Sequence, residues 1–333
     1  MRLLVLGGTG FVGRTVVDEA RTRGHHVTVL NRGHRPAPAG VTALVADRTT
    51  PGGLTALDHG TWDAVVDTWS AAPYAVRDAA KALTGRAGHY TYVSSRSVYA
   101  GGGPVPLTED APVVDASPDA GDDVEFSAPM AYAAAKRGGE LAAQQSFDGP
   151  VLLARAGLIL GPHEDIGRLP WWLNRLAKGG PTLAPGPRDL PLQYIDARDL
   201  AAFVLDAAAA GRSGPYNVVS ESGHTTMGEL LETAAEITGG RAELRWTEPD
   251  AILAAGIAQW TELPIWLAPG FDHSFMHGGD VSRAIAAGLR PRPVRETVAD
   301  TWAWLQSIGG TPPHRPDRPP VGLDPAREAE LLF

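Results

Sequence analysis

The sequence predicts an α/β protein built on a doubly wound parallel sheet, with a smaller lobe in its C-terminal half. Three observations predict this fold. Short apolar runs alternate with helical segments through the first half of the chain, a glycine-rich turn follows the first run, and the alternation ends near residue 155. Because 44% of the 333 residues are hydrophobic, a sizeable core can form, and disorder of the whole chain is excluded.

Six short runs in the first half have the composition of buried parallel strands. They are nearly all apolar and rich in Val and Leu, as expected where helices cover both faces of a sheet. We predict strands over Leu3–Leu6, Val27–Leu30, Ala43–Val45, Ala64–Asp67, Tyr90–Ser94 and Val151–Ala154. The intervening segments predict helices, among them Phe11–Arg23 and Tyr74–Leu83.

Turn signals interrupt this alternation in the second half of the chain. There we predict strands near Gln193–Ile195 and Tyr216–Val219, and helices over Leu200–Ala209, Met227–Thr238, Val294–Gln306 and Pro325–Leu332. The expected organisation is a core over residues 1–160, a smaller lobe over 161–310 interleaved with the end of the core sheet, and a Pro-rich tail over 311–333 that ends in a short helix.

Composition excludes several kinds of protein. The net charge of −9 disfavours a nucleic-acid partner, and the absence of cysteine excludes disulfides, thiolate zinc sites and cysteine nucleophiles. No apolar run approaches the ~18–20 residues that span a bilayer, so we expect no membrane association and a cytoplasmic location. His273 and His277 have the spacing of metal ligands, but Gly278-Gly279 follows at once, and we predict no metal site.

A glycine-rich segment, Gly7-Gly8-Thr9-Gly10-Phe11-Val12-Gly13, joins the first strand to the first helix. Gly7 can turn the chain tightly, Gly10 lets a pyrophosphate approach the backbone at the helix N-terminus, and Gly13 lets helix and strand pack closely. A turn without a ligand is the alternative, but the flanking strand and helix favour a Rossmann-like dinucleotide site. We predict cofactor contacts from Gly7, Thr9, Gly10, Phe11, Val12 and Gly13.

The ends of the second and third strands bear on the choice of cofactor. NAD sites often have an acidic residue after the second strand, whereas this chain has Asn31 and Arg32. A guanidinium can bind a 2′-phosphate through two hydrogen bonds, so NADP(H) is preferred and NAD(H) is possible; alternatively, Arg32 is solvated. Asp47 and Arg48 are further candidates, near the expected adenine, although Asp47 could instead cap the following turn.

Tyr132 and Lys136 have the i, i+4 spacing that places two side chains on one face of a helix. An ammonium group one turn from a phenol stabilises the phenolate, so this pair suits acid–base chemistry. The spacing is common by chance, but the fifth predicted strand ends in Ser94-Ser95 and brings a hydroxyl to the carboxyl edge of the sheet. This hydroxyl favours a functional role for the Tyr132 and Lys136 pair.

With these motifs the sequence resembles the extended short-chain dehydrogenases/reductases of the NAD-dependent epimerase/dehydratase family. The resemblance covers most of residues 1–300 and includes Arg155–Pro162 and Tyr194–Ala201. It implies that Ser95 is the catalytic hydroxyl, that Tyr132 gives or takes a proton, and that Lys136 binds the nicotinamide ribose and tunes Tyr132. Hydride would move between the nicotinamide and a carbinol carbon.

Two departures from the family pattern disfavour a nucleotide-sugar substrate. Nucleotide-sugar members usually have Asn at the position of Leu158 and commonly have Arg at that of Leu192, and both polar partners are missing here. Tryptophans, which supply broad apolar walls, occur at Trp69 and Trp171-Trp172 instead, although any single one is more often a core residue. We predict a pocket for a small apolar or aromatic substrate, lined by Trp69, Arg96, Leu158, Trp171, Trp172 and Leu192.

The predicted function is therefore an NAD(P)-dependent oxidoreductase that reduces a ketone or oxidises an alcohol. Arg96 favours simple redox chemistry, because the resemblance associates Glu at this position with sugar dehydratases. A nucleotide-sugar epimerase or dehydratase using the same centre is the alternative, and a non-catalytic NADP sensor or RNA-associated protein is a second one. The resemblance also implies a homodimer through the Tyr132 helix and the helix Tyr74–Leu83.

Overall fold

The structure is a computed structural model that describes residues 1–101, 105–121, 129–316 and 318–332. Its strands are β1 (Arg2–Leu6), β2 (His26–Asn31), β3 (Thr42–Val45), β4 (Ala64–Asp67), β5 (Tyr90–Ser95), β6 (Val151–Ala156), β7 (Leu158–Leu160), β8 (Gly180–Pro185), β9 (Pro191–Leu192), β10 (Tyr194–Asp196), β11 (Gly214–Val218), β12 (Thr225–Thr226), β13 (Ala242–Thr247), β14 (Gln259–Trp260) and β15 (Leu263–Pro264). Its helices are α1 (Phe11–Thr22), α2 (Tyr74–Leu83), α3 (Pro129–Ser146), α4 (Arg168–Lys178), α5 (Ala197–Ala209), α6 (Met227–Ile237), α7 (Pro249–Ala254), α8 (Phe271–His277), α9 (Ser282–Ala286), α10 (Val294–Ser307) and α11 (Pro325–Leu332).

A seven-strand parallel sheet is the centre of the fold, with strand order β11-β6-β5-β4-β1-β2-β3. This sheet confirms the predicted doubly wound α/β class. Successive strands are added outward from β1 to β3 on one side of the sheet and from β4 to β11 on the other. The direction in which strands are added therefore reverses between β1 and β4. In such sheets ligands bind beyond the carboxyl ends of the strands at this reversal.

The predicted elements of the first half are confirmed with small shifts at their ends. β4 and α2 have the predicted bounds, whereas β5 and β6 extend one and two residues further than predicted. Helix α1 stops at Thr22 because Arg23 leaves the helical conformation and caps its end. The buried strands β1 and β4 are apolar along almost their whole length, which is why their composition located them well.

The described chain divides into two compact units. The first consists of Met1–Gly157, Arg198–Val218 and Val281–Arg290, and the second of Leu158–Ala197, Val219–Asp280 and Pro291–Phe333. The core of the first unit lies between the sheet and its helices, around residues such as Leu4, Val65 and Tyr90. The core of the second unit surrounds two fully buried tryptophans, Trp172 and Trp266.

The C-terminal tail is part of the second unit's packing. Glu328 on α11 accepts a hydrogen bond from the Arg175 guanidinium at 2.6 Å and another from the Leu183 N–H at 3.0 Å. The Gly322 N–H donates to the Thr261 carbonyl oxygen at 2.7 Å. Within the ranges that the structure describes, no helix has both the length and the apolar character required to cross a membrane.

Candidate active site

The glycine-rich turn between β1 and α1 is shaped by backbone contacts that exclude larger residues. Gly7 has a φ of +96°, a conformation that favours glycine, and its N–H donates to the Leu30 carbonyl oxygen at 3.0 Å. A Cβ atom on Gly13 would overlap the Gly7 carbonyl oxygen and lie 2.9 Å from its carbon. Helix α1 therefore packs against the turn as closely as two glycines allow.

The start of α1 fits the diphosphate of a dinucleotide. Gly10 is the N-cap, with no side-chain cap and no acidic residue in the first turn of the helix. The backbone N–H groups of such a turn have no partners within the helix, and the helix dipole favours an anion there. A Cβ atom on Gly10 would meet nothing within 4 Å, so there is open space in front of the turn.

The residues after β2 and β3 have different environments. Arg32 is exposed at the end of β2, and the Arg35 guanidinium lies 3.4 Å from the Thr9 carbonyl oxygen. The Asn31 side-chain oxygen accepts from the Gly33 N–H at 2.7 Å, while its nitrogen is buried without a partner among the described residues. Basic groups and an amide thus lie beside the glycine-rich turn.

Asp47 caps the turn that follows β3. Its Oδ1 accepts hydrogen bonds from the Thr49 hydroxyl at 2.7 Å and the Thr49 N–H at 2.9 Å, which lower the pKa of Asp47. Arg32 and His34 add a smaller effect in the same direction. Of the two roles that the sequence left open for Asp47, the structure shows the turn cap.

Arg48 is buried in an ion pair. Its two terminal nitrogens lie 2.7 and 2.8 Å from the two carboxylate oxygens of Asp67, and 8% of the residue is exposed. The Tyr90 hydroxyl donates to the same carboxylate at 2.6 Å. The Arg48 guanidinium is therefore bound within the protein itself through its two terminal nitrogens.

Lys136 is anchored at the carboxyl ends of β4 and β5. Its ammonium donates to the carbonyl oxygens of Trp69 and Val93, both at 2.7 Å, and lies 4.9 Å from the centre of the Tyr92 ring. Helix α3 can approach β5 this closely because a Cβ atom on Gly139 would overlap the Tyr92 hydroxyl. Only 3% of Lys136 is exposed, so its position is fixed by backbone groups of the sheet edge.

The other two predicted catalytic residues belong to the same unit. Ser95 is the last residue of β5, and its Oγ accepts from the Ser97 N–H at 3.1 Å and donates to the Ser97 hydroxyl at 3.1 Å. Tyr132 is partly exposed on α3, one turn before Lys136. Because Val93, which holds Lys136, is two residues before Ser95, the hydroxyl and the ammonium group share one sheet edge.

A buried charge network behind this edge was missed in the sequence. The Glu140 carboxylate accepts from the Ser94 hydroxyl at 2.7 Å and from two nitrogens of Arg155 at 2.9 and 3.0 Å. Arg137 donates to Glu140 at 2.9 Å as well. The signal available in the sequence was spacing, because Glu140 is one helical turn beyond Lys136 on α3.

The predicted substrate residues of the first unit lie next to this site. Trp69 is partly exposed, and its indole N–H donates to the Ala72 carbonyl oxygen at 2.9 Å. Arg96, which follows Ser95, is 4% exposed, and burial lowers its pKa to about 10. Both residues follow strands at the carboxyl edge of the sheet.

The predicted substrate residues of the second unit are mostly core residues. Trp172 is completely buried, and its indole N–H donates to the Pro264 carbonyl oxygen at 2.8 Å. Leu158 and Leu192 are 3% and 1% exposed and belong to the same core. Trp171 is partly buried and packs edge to face against Trp172, with the two ring centres 4.6 Å apart. The apolar character read from the sequence is thus used largely for packing.

The family of the chain follows from a match over two thirds of its length. Residues 3–219 match the model of the NAD dependent epimerase/dehydratase family, and the chain belongs to that family of enzymes. The match covers the seven-strand sheet except Arg2, the glycine-rich turn and all three predicted catalytic residues.

Solved structures share the fold at low sequence identity. Two are Bordetella bronchiseptica enzymes: WbmH in complex with NAD+ (18% identity, 92% of this chain and 99% of that one, TM-score 0.69) and WbmG in complex with NAD and UDP (22%, 93% and 96%, TM-score 0.68). A third is the UDP-glucose 4-epimerase of Thermus thermophilus in complex with NAD (21%, 91% and 99%, TM-score 0.63).

A curated relative is more similar over a shorter stretch. This is the 2′-dehydrokanamycin reductase of Streptomyces kanamyceticus, which is 40% identical over 105 residues. The match spans 31% of this chain and 29% of that relative.

Proposed function

We propose that the protein is an NAD(P)-dependent oxidoreductase that reduces a ketone, or oxidises an alcohol, of a small organic substrate at Ser95, Tyr132 and Lys136. One observation carries this proposal. The Lys136 ammonium is buried and fixed by the Trp69 and Val93 carbonyl oxygens, one helical turn from Tyr132 and at the same sheet edge as Ser95.

Each of these residues has a role that its position supports. The first turn of α1 would hold the cofactor's diphosphate, and Lys136 would hold the nicotinamide ribose. When bound, the nicotinamide supplies or accepts the hydride. Tyr132 would transfer the hydroxyl proton, with its phenolate stabilised by the Lys136 charge, and the Ser95 hydroxyl would orient the substrate oxygen.

The preferred cofactor in this proposal is NADP(H). Arg32 is exposed at the end of β2, where it can reach a 2′-phosphate, and no acidic residue occupies Asn31's position to repel that phosphate. The three solved structures described above contain NAD, so NAD(H) is the competing choice.

The redox reaction has support from the curated relative, which is named a 2′-dehydrokanamycin reductase. We retain Trp69 and Arg96, both of the first unit, as proposed substrate contacts, because Trp69 is partly exposed and Arg96 directly follows Ser95. Leu158, Leu192 and Trp172 would act through the packing of their own unit.

Hydride transfer with defined variants tests the proposal. Purified protein is given NADPH or NADH and a panel of small ketones, and cofactor oxidation is followed by absorbance. Tyr132→Phe should reduce the rate by about a hundredfold or more, because it removes the proton donor. Tyr216→Phe, a change to a buried tyrosine on β11, should leave the rate unaltered. Equal, measurable rates in wild type and Tyr132→Phe would contradict the role assigned to Tyr132, whereas cofactor binding without turnover in the wild type would favour the non-catalytic sensor.

A nucleotide-sugar epimerase is the second candidate. The observation that favours it is the fold shared with WbmG bound to NAD and UDP and with a UDP-glucose 4-epimerase. An epimerase regenerates its cofactor, so UDP-sugars would interconvert without net cofactor consumption. Isomerisation of a UDP-sugar, lost in Tyr132→Phe, together with inactivity toward every free ketone, would select this candidate.

A homodimer through α2 and α3 is also proposed. These two helices pack against each other in the first unit, and Met130 near the start of α3 is 71% exposed. Light scattering should give twice the mass of one 35.0 kDa chain, and Met130→Glu should shift the mass toward that of one chain.

A further inference from the structure

The carboxylate of Asp67 organises the end of β4. It is completely buried and has a fixed partner on each side: the Arg48 guanidinium binds both oxygens, and the Tyr90 hydroxyl binds one. Burial opposes ionisation of Asp67, but the charge of Arg48 and the hydrogen bonds from Arg48, Tyr90 and Trp69 together outweigh it and lower the pKa of this carboxyl group. The pair therefore remains charged inside the sheet edge.

Trp69 is held at three points, two of them by this ion pair. The Trp69 N–H donates to Asp67 Oδ1 at 3.0 Å, the Arg48 guanidinium stacks 4.9 Å from the centre of the indole ring, and the indole N–H is tied to the Ala72 carbonyl oxygen. The backbone of Trp69 is thus fixed from both its peptide nitrogen and its side chain.

The Trp69 carbonyl oxygen is in turn one of the two backbone oxygens that bind the Lys136 ammonium. It also accepts from the Tyr92 hydroxyl at 3.1 Å. Burial raises the pKa of Tyr92 well above its ordinary value, so this hydroxyl stays a neutral donor. A continuous chain of direct contacts thus leads from Arg48 through Asp67 and Trp69 to Lys136.

We propose that Arg48 and Asp67 are positioning residues that place the Lys136 ammonium for the nicotinamide ribose by fixing the Trp69 carbonyl oxygen. A buried ion pair is a weak source of stability, because desolvation of two charges offsets much of their attraction. Its geometry is what an apolar pair could not supply: two parallel hydrogen bonds that fix the Asp67 carboxylate, and with it the Trp69 peptide.

This inference rests on the proposed function in one respect only, the role of Lys136 at the nicotinamide ribose. The contribution of Lys136 to ribose binding can be measured without any reaction. ADP and ADP-ribose share the adenosine diphosphate and differ by the distal ribose, so the ratio of their dissociation constants isolates the gain in affinity from that ribose. A charge-assisted hydrogen bond from lysine should make this gain about tenfold or more in the wild type.

Two variants break the proposed support while keeping the fold. Arg48→Lys preserves the charge but not the two-point geometry, and the double change Arg48→Met with Asp67→Asn removes both charges while keeping an acceptor for the Trp69 N–H. We expect both to lose most of the ribose gain, with ADP affinity within about threefold of wild type. In a Lys136→Met background, Arg48→Lys should cause no further loss, because both changes act on one contact.

The matched control is a second largely buried ion pair, Arg175 and Glu328 of the second unit. Arg175 Nε lies 2.6 Å from Glu328 Oε2. Arg175→Met with Glu328→Gln should alter thermal stability but not the ribose gain. The inference is overturned if the Arg48 variants keep the full gain, if they weaken ADP as much as ADP-ribose, or if the wild type shows no gain. Failure of the hydride-transfer test with an intact ribose gain would overturn the proposed reaction alone.

Discussion

Gly13 and Gly7 are in contact through backbone alone: a Cβ atom at position 13 would lie 2.9 Å from the Gly7 carbonyl carbon and closer still to its oxygen. Gly13→Ala should therefore force α1 away from the turn and destabilise the protein by about 1–3 kcal/mol, as overpacking does. The N–H groups of the helix would shift with it, so cofactor affinity should fall as well. Thermal unfolding and titration with NADPH and NADH measure the two effects.

Gly10→Ala is the matched comparison. Its Cβ atom would meet no protein atom within 4 Å, and the φ of −92° suits alanine, so the melting temperature should stay close to wild type. The added methyl group would nevertheless fill the space in front of the α1 N-terminus, where the diphosphate is proposed to lie. Cofactor affinity should drop about tenfold or more, and unchanged affinity would place the diphosphate elsewhere.

Arg32 should discriminate between the two nicotinamide cofactors. If it binds a 2′-phosphate, Arg32→Ala should weaken NADPH about tenfold or more and leave NADH nearly unchanged. Fluorescence titration of both cofactors measures this difference directly. Arg245→Ala, a change to an exposed arginine of the second unit paired with Glu243, controls for the loss of one positive charge. Equal weakening of both cofactors would remove the argument for a 2′-phosphate site.

The first half of the chain could be read from its sequence because local composition and structure agree there. Strands buried on both faces must be apolar along their length, and the turn after β1 leaves room only for glycine at two positions. In the second half, β8 contains Gly180 and two prolines, and β13 contains a glutamate and an arginine between its apolar residues. Neither strand therefore has the composition of the buried strands. Both were missed for that reason.

Only those parts of the candidate site that lie close together in the sequence could be predicted. The Tyr132 and Lys136 pair is visible as an i, i+4 motif, but the ion pair of Arg48 with Asp67 joins residues from the ends of β3 and β4. Nothing in the local sequence distinguishes an arginine that binds a cofactor from one that binds a carboxylate. Nor does the local sequence distinguish a tryptophan that lines a pocket from one that fills a core, and Trp172 is a core residue.

Glu140 should contribute to stability as the centre of a buried charge network. Glu140→Gln would leave the Arg155 guanidinium buried without its counter-ion, which should cost about 3–5 kcal/mol of unfolding free energy. Urea denaturation of the variant and wild type measures this difference. Glu243→Gln breaks an exposed ion pair with Arg245 and should have a small effect. Similar losses of unfolding free energy in both variants would mean that the buried Glu140 network stabilises the protein no more than an exposed ion pair does.

Glu164 should make stability depend on pH. It is completely buried before α4, whose N-cap Gly167 offers no side chain, and its carboxyl group accepts hydrogen bonds from the Arg168 N–H at 2.8 Å and the Leu169 N–H at 3.2 Å. Burial raises the pKa of Glu164 from 4.5 to about 7, although Arg168 and these hydrogen bonds act in the opposite direction.

The direction of the pH effect follows from this raised pKa. Between pH 4.5 and 7 the folded protein holds a proton on Glu164 that the unfolded chain has released, so stability is greatest below this window and falls as the pH rises through it. The loss should be on the order of 3 kcal/mol and should level off above pH 7. Glu164→Gln removes the ionisation but keeps an acceptor for α4. The free energy of unfolding of wild type minus that of the variant should therefore decline from pH 5 to pH 7, and a constant difference would show that Glu164 stays ionised in the fold.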